Sequence, residues 1–231
     1  MSTYLELCQK VASKSGTVSG SGQPVAVTGQ TGRLNDIVIW VNDAWTDIQN
    51  AHAGAWLWMR KEFTDKETSS GTAKYTPAGW NITDFSSWVT EKRVTTLYLQ
   101  STGVSDEGEI DHIGWGDWRV RYGRGSQINN KPSQFAISPQ NEFCLGPIPD
   151  GTYVVNGEYY KTVQTLSVDG DIPECPVQFH DVILHRALMY LNAFDEGSVG
   201  YVEAKSNYAK MMFDLERDQL PRITIGSEPL A

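Results

Sequence analysis

The densest set of possible metal ligands in this sequence lies between residues 106 and 112. His112 follows four carboxylates, those of Asp106, Glu107, Glu109 and Asp111, and carboxylates in a loop can hold Ca²⁺. The segment lacks the Gly-centred loop and the closing bidentate Glu of an EF-hand. We therefore interpret residues 101–116 as an exposed acidic loop. A metal-dependent hydrolase centred on His112 is an alternative, which predicts stoichiometric metal in the purified protein.

No other motif indicates a catalytic or cofactor site. His180 and His185 are five residues apart, so they lie on different faces of a helix, whereas the zinc pair of an HExxH motif needs a spacing of four. Residues 27–33 (VTGQTGR) precede a helix but lack the Gly-Lys-Ser/Thr ending of a phosphate loop. No GxSxG motif occurs, and no cysteine lies in a nucleophile signature. We predict that the protein is not an enzyme and that it binds no cofactor or metal.

Aromatic residues are frequent in the middle of the chain and allow two interpretations. They fill the cores of β proteins and their subunit contacts, and they also form platforms on which sugars stack. A carbohydrate-binding β module of a virion or cell-surface protein is therefore an alternative, and it predicts exposed, coplanar rings at Trp115 and Trp118. The aromatic residues concerned are Trp80, Trp88, Trp115, Trp118, Tyr122, Tyr153, Tyr159 and Tyr160.

The composition is that of a folded, acidic protein. Hydrophobic residues make up 40% of the 231 residues, eight are Trp, and the net charge is −9, which argues against disorder and against non-specific binding to nucleic acid phosphates. Cys8, Cys144 and Cys175 form no CxxC spacing, and we expect buried free thiols. The sequence shows no signal peptide and no apolar run long enough to span a membrane. We expect a soluble product of a reducing cytosol.

Hydrophobic periodicity predicts helices at both ends of the chain. A short helix that carries Leu5 and Cys8 ends before Gly16, and a long helix runs from Arg33 to about residue 59. Trp40, Trp56 and Trp58 fall off its main stripe or follow Gly54, so we assign them to a subunit interface. Between Pro176 and Pro221, two helices broken at Gly197 and Gly200 fold into a hairpin. The second of these helices buries Tyr201, Ala204, Tyr208, Met211, Met212 and Leu215.

The region between these helices is predicted to be β, because short runs of β-branched and aromatic residues alternate with Gly, Pro, Asn and Asp. Asn156-Gly157 lies between two of the predicted strands, and this dipeptide favours the type I′ turn of a hairpin. The predicted strands cover residues 63–68, 94–99, 118–122, 133–137, 143–145, 153–155 and 158–165.

The order of these elements predicts an α+β protein, in which a bundle of N- and C-terminal helices carries a large inserted antiparallel β domain. Residues 1–60 and 176–220 are assigned to the helical domain, residues 61–175 to the β domain, and residues 221–231 to an extended C-terminal arm. The arm alternates apolar residues but has no core of its own.

The order of segments resembles the adaptor, or head-to-tail connector, proteins of tailed bacteriophages, particularly the short-tailed type. Stopper and head-completion proteins of the phage neck have similar patterns and remain an alternative. The likeness covers nearly the whole chain and lies in four segments: GRLNDIVIWVNDAWTDIQN, KPSQFAISPQNEFCLGPIPDGTYVVNGEYY, FHDVILHRALMYLNAFDE and DLERDQLP.

The resemblance implies a structural protein at the head–tail neck of a virion, assembled in the host cytoplasm. Such proteins form a homo-oligomeric ring, commonly a dodecamer, that docks beneath the portal protein and continues the channel towards a tail nozzle or tube protein. Double-stranded DNA would pass the acidic lumen without specific binding, and no membrane is involved. Carried onto this sequence, the portal-binding arm contains Arg222, Ile223, Thr224 and Ile225.

Overall fold

The computed structural model describes residues 2–16 and 22–221. The chain divides into two compact units: unit 1 is Met1–Met59 with Val163–Ala231, and unit 2 is Arg60–Thr162. Helices build unit 1 and two sheets dominate unit 2, which confirms the predicted α+β class. The helices of the described residues are α1 (Tyr4–Lys14), α2 (Gly32–Asn50), α3 (Trp115–Arg121, in unit 2), α4 (Asp181–Phe194) and α5 (Ser198–Gln219).

The first helix ends before Gly16, as predicted, and begins at a capping box. The Thr3 hydroxyl accepts a hydrogen bond from the Glu6 N–H (3.2 Å), and the Glu6 carboxylate accepts one from the Thr3 N–H (3.1 Å). This capping box satisfies two backbone donors that the helix leaves unpaired. After α1, Gly16 adopts a φ of +65°, which a glycine reaches without steric cost.

The long second helix is shorter than predicted. It ends at Asn50, because His52 and Ala53 adopt φ values of +54° and +56°, outside the helical range. The chain then turns back, and the Trp56 indole N–H donates to the Ile48 carbonyl at 2.8 Å. The Ala51 N–H also donates to that carbonyl, which lies in the last turn of the helix, so the Trp56 indole adds a second donor at the end of α2.

Residues 163–175, here called the return segment, pack on the helices of unit 1. The Gln49 side chain donates to the Gln164 carbonyl (2.9 Å) and accepts from the Gln164 N–H (2.6 Å). Further along, the Asp171 carbonyl accepts from the Tyr4 N–H at 2.7 Å. From sequence, this segment was assigned to the β domain. Its backbone groups pair instead with helix side chains and with the start of α1, so the division between the units falls after Thr162.

The last two helices form the predicted hairpin. Ile183 and Leu184 of α4 and Leu215 of α5 are each at most 1% exposed. Gly200 lies inside the first turn of α5, and a Cβ there would be 2.4 Å from the Asn192 side-chain oxygen. Glycine at this position therefore allows α4 and α5 to approach closely next to their turn.

Unit 2 consists of two sheets. Sheet A has the order β1-β9-β4-β5, with β3 also paired to β9, and sheet B has the order β2-β8-β7-β6. All pairs are antiparallel except β6 with β7. The strands are β1 (Arg60–Glu67), β2 (Lys74–Tyr75), β3 (Phe85–Trp88), β4 (Thr96–Leu99), β5 (Gly108–Glu109), β6 (Asp111–His112), β7 (Gln134–Ile137), β8 (Phe143–Gly146) and β9 (Tyr153–Lys161).

The two sheets of unit 2 enclose one aromatic core. Successive residues of a strand point to opposite faces of its sheet, so each sheet has an inner face towards this core and an outer face. Sheet A contributes Phe63, Leu97 and Val155 to the core, and sheet B contributes Phe135, Phe143 and Leu145.

The predicted hairpin at Asn156-Gly157 is wrong. β9 runs through both residues, and Gly157 pairs with Phe63 of β1 in the middle of the strand. A Cβ on Gly157 would lie 2.7 Å from the Phe63 ring. Glycine is needed here to make room for an aromatic ring in the core, not to form a turn.

The predicted strand at residues 118–122 is also wrong, because this stretch lies mostly in α3. Trp118 and Tyr122 are four residues apart, so both lie on the face of α3 that packs on sheet B. The Trp118 indole donates to the Leu145 carbonyl at 3.1 Å, and the Tyr122 ring packs so close to Gly146 that a Cβ there would lie 2.3 Å from it. The helical spacing of Trp118 and Tyr122 thus decides the structure of this stretch, and its β-like sequence pattern does not.

Residues 101–116 are more ordered than the predicted loop. They contain a 3₁₀ turn (Gly103–Asp106) and strands β5 and β6. Ile110, 5% exposed, joins the aromatic core between these two strands. Most of the neighbouring side chains are exposed, as predicted.

Candidate interaction surfaces

The acidic segment around His112 does not assemble a metal site. His112 is exposed on β6, with its ring centroid 5.2 Å from that of Phe135. Asp106 is bound instead by Lys131, whose ammonium lies 2.7 Å from its carboxylate. Among residues 2–16 and 22–221, no group of three His, Cys, Asp or Glu side chains could hold a metal ion.

The three cysteines are free and buried, as predicted. Burial raises the pKa of the Cys8 and Cys175 thiols to about 12 and that of Cys144 to about 11. The thiolate is the nucleophilic form, so at neutral pH these side chains act as small apolar groups. Their environment is that of a hydrophobic core.

His180 is a buried structural residue at the start of α4. Its Nδ1 accepts from the Ser2 N–H at 3.2 Å, and its Nε2 lies 3.2 Å from the Cys175 carbonyl, an arrangement that fits a neutral ring protonated on Nε2. Burial lowers its pKa below the ordinary value. His180 therefore connects the N-terminus to α4, and it does not converge with His185 on a shared ligand.

The two rings that a sugar platform would expose are not both accessible. Trp118 is 3% exposed. Trp115 stacks on it with a centroid distance of 5.2 Å, and the Lys74 ammonium lies 5.3 Å from the centroid of the Trp115 ring. A sugar-binding pair needs a free aromatic face on each ring, and Trp118 offers none.

The three tryptophans assigned to a subunit interface differ in accessibility. Trp56 is fully buried, and Trp58 stacks on it at 4.6 Å. Trp40 is half-buried, with its ring centroid 5.6 Å from that of Phe194 and 5.0 Å from the Arg33 guanidinium. Trp56 is therefore committed to the core of its own chain, and Trp40 retains surface for a partner.

Phe194, together with Trp40, makes an apolar surface beside the α4–α5 turn. Phe194 falls on the apolar period of α4, which predicts burial, but it is 68% exposed. Arg33 lies over both rings and forms an ion pair with Asp195. The guanidinium holds the two rings in place and leaves the outer side of Phe194 in solvent.

A second apolar surface of unit 1 lies along the solvent-facing side of α5. We call it the outer stripe of α5: Val199, Val202, Ser206, Ala209 and Phe213, all exposed. Val199, Val202 and Phe213 are 81%, 66% and 63% exposed. The spacing of three, four, three and four residues is that of a seam between packed helices, and the small residues at its centre allow close approach.

The proposed arm residues Arg222, Ile223, Thr224 and Ile225 lie outside the described residues. Among the described helices, none is both long and apolar enough to cross a lipid bilayer.

Comparison with known proteins decides the class of this chain. Residues 2–229 match the family described as SU10 adaptor protein. The chain belongs to the SU10 adaptor protein family. This confirms the resemblance to phage head-to-tail adaptors, and membership implies a structural role at the neck of the virion rather than a catalytic one. No curated protein matches the chain.

For an adaptor, the relevant sites are surfaces that contact other proteins, and sequence reasoning found only some of them. It identified the buried stripe of α5, of which Ala204, Met212 and Leu215 are buried. It missed the outer stripe, although the spacing of Val199, Val202 and Phe213 is visible in the sequence. A helix with two apolar stripes has one stripe more than its own core needs.

Proposed function

We propose that this protein is the subunit of an adaptor ring, a dodecamer, that docks on the portal and continues the DNA channel towards the tail. Its role is mechanical: each subunit contacts two neighbours, the portal above and a nozzle or tube protein below. The SU10 adaptor family match over residues 2–229 supports the adaptor role.

The outer stripe of α5 is the observation on which the ring proposal rests. An isolated chain would expose two valines and a phenylalanine along one helix face, and contiguous apolar surface on a soluble protein marks an interaction site. In a ring, each subunit presents this stripe to a different surface of its neighbour, so that the contact closes on itself after a fixed number of copies. The Trp40 and Phe194 surface lies beside the same helix hairpin and extends the contact.

Residues 222–231 are proposed as the portal-binding arm. This assignment rests on the sequence: the segment follows Pro221 directly after α5, and the alternation of Ile223 and Ile225 suits the addition of a strand to a partner or insertion into a groove.

The net charge of the chain supports the proposed channel function. The chain carries a net charge of −9, and a negatively charged lumen repels DNA phosphates. DNA would therefore pass without binding tightly to the wall, as a conduit requires.

Electron microscopy of the purified protein mixed with its portal tests this proposal. We expect a ring stacked on the portal and continuous with its channel. A variant truncated after Pro221 should keep its fold and its ability to form rings but lose the portal. A wild-type protein that stays a single subunit in the presence of the portal would overturn the ring proposal, and a truncated variant that binds the portal normally would overturn only the arm.

A further inference from the structure

The outer face of sheet A is acidic. Glu109 of β5 lies opposite Thr96 of β4, and Thr96 lies opposite Asn156 of β9. Thr96 and Asn156 face away from the core, because their neighbours Leu97 and Val155 point into it. The Glu107 carboxylate accepts from the same two side chains (2.5 and 3.4 Å). We call Asp65, Glu67, Glu107 and Glu109 the acidic face. All four are exposed, and none makes an ion pair within the described parts of the chain.

Two carboxylates of the acidic face, those of Asp65 and Glu107, act on the same neighbouring side chain, Tyr98. Desolvation, and then the negative charges of Asp65 and Glu107, raise the pKa of Tyr98. Tyr98 lies on the same outer face, opposite Val154 of β9. These charges therefore form one surface and are not scattered.

The opposite charge lies on α3 and the residues that follow it. Arg119, Arg121 and Arg124 are exposed and form what we call the cationic surface. None of them makes an ion pair within residues 2–16 and 22–221, and Arg121 donates only to the Gln134 amide oxygen at 3.3 Å. Val120, 70% exposed, lies among the arginines and adds apolar area.

These two surfaces lie on opposite sides of unit 2. Trp118 of α3 packs on Ala136 and Cys144, which point away from the core because Phe135 and Phe143, their neighbours in the strands, point into it. The helix α3 thus covers the outer face of sheet B, whereas the acidic face is the outer face of sheet A. The core separates the two.

We propose that the cationic surface of one copy binds the acidic face of the next copy, so that unit 2 supplies a charge-complementary, head-to-tail contact between subunits. A head-to-tail contact needs two different, complementary patches on the same molecule, and copies joined this way form a ring or a filament. The inference rests on the proposed ring and adds the residues of unit 2 that would join its subunits. It assigns to one contact three arginines and four carboxylates that make no ion pair within the described residues.

A second copy fits these charges better than DNA does. Proteins that hold duplex DNA through its phosphates typically neutralise about 6–10 of them, and the cationic surface offers three arginines. A second copy of the chain, by contrast, always supplies an acidic face to which the cationic surface can bind. Within the described residues the four carboxylates of this face make no ion pair, and Glu67 and Glu107 accept hydrogen bonds from neutral side chains. All four would repel DNA.

Charge reversal tests the contact. One variant carries R119E and R124E, which makes both surfaces negative; a second carries E67K, E107K and E109K, which makes both positive; a third carries all five changes. K14E with K92E is the control, because it changes the net charge as much as the first variant does at exposed positions outside both surfaces. Circular dichroism and thermal unfolding check that every variant folds.

We expect each of the first two variants to need about tenfold more protein, or more, for half-assembly at low salt, because like charges then face each other. The variant with all five changes should assemble as the wild type does, and a mixture of the first two should associate although neither does alone. These differences should vanish near 1 M salt, where the Debye length is about 3 Å. The control should behave as wild type.

Normal assembly of the first two variants, or no association in their mixture, would overturn the contact. Loss of binding to duplex DNA by the R119E and R124E variant, with assembly unchanged, would overturn it in favour of DNA as the partner. The mixing experiment measures pairwise association, so it tests the contact even where no closed ring forms. Failure of the ring and failure of this contact can therefore be told apart.

Discussion

Replacing the apolar side chains of the outer stripe of α5 should abolish assembly without unfolding the subunit. The perturbation is Val199→Ser, Val202→Ser and Phe213→Ser together, at side chains that are 81%, 66% and 63% exposed. Full burial of a Val or Phe side chain contributes about 1.5–3 kcal/mol. Scaled by the exposed fractions, the three changes remove at most about 3–6 kcal/mol from each interface, or a factor of roughly 10² to 10⁴ in affinity.

Mass photometry over a range of protein concentrations measures this loss as a shift in the concentration needed for oligomers. Thermal unfolding provides the second measurement, and we expect little change, because substitutions at solvent-facing sites usually alter the unfolding free energy by about 0.5 kcal/mol or less each. The matched control replaces Val25, Val104 and Val168, which are 84%, 70% and 57% exposed, by Ser. Oligomers that form as in wild type, or an equal loss in the control, would refute the assignment of the stripe.

Three further predictions concern the fold that carries these surfaces. Gln49→Leu should destabilise unit 1 by about 2–5 kcal/mol in urea unfolding, because the backbone N–H and carbonyl it pairs in the return segment lose their partner; a loss below about 1 kcal/mol would contradict this. Gly157→Ala should cost about 1–3 kcal/mol through overlap with Phe63, whereas Gly108→Ala, with open space around it, should not. The pKa of His180 lies below its ordinary value of 6.5 when the chain is folded, so the unfolded chain takes up its proton first and the unfolding free energy falls as the pH drops below 6.5. His180→Gln should flatten this part of the stability profile, and an unchanged profile would show that other groups cause it.

The helices could be predicted from the sequence because their signals are local. The capping pair Thr3 and Glu6 and the apolar period of α4 and α5 each act within a few turns of chain. The early end of α2 could not be predicted, because it depends on Trp56 folding back onto the Ile48 carbonyl, a contact that no local pattern encodes.

The errors in unit 2 have a common cause. Asn156-Gly157 has a local preference for a turn, and residues 118–122 have one for a strand. Tertiary packing instead places Asn156-Gly157 inside strand β9 and most of residues 118–122 in helix α3. Phe63 occupies the space that makes Gly157 necessary, and the outer face of sheet B selects the helical spacing of Trp118 and Tyr122. The interaction surfaces were predicted least well: the buried stripe of α5 was identified from the sequence, but the second apolar spacing on the same helix, at Val199, Val202 and Phe213, was not recognised as an exposed surface.

The position of β9 has a consequence for the order of events during synthesis. β1 and β3 pair with β9 alone in sheet A, whereas β4 also pairs with β5, so β1 and β3 must wait for the last strand of the sheet. A ribosome adds about 5–20 residues per second, and the stretch from Glu67 to Tyr153 therefore leaves β1 without a partner for on the order of 10 s. Unpaired strand edges are templates for aggregation. β1 is therefore open to pairing with other chains until residue 161 has emerged.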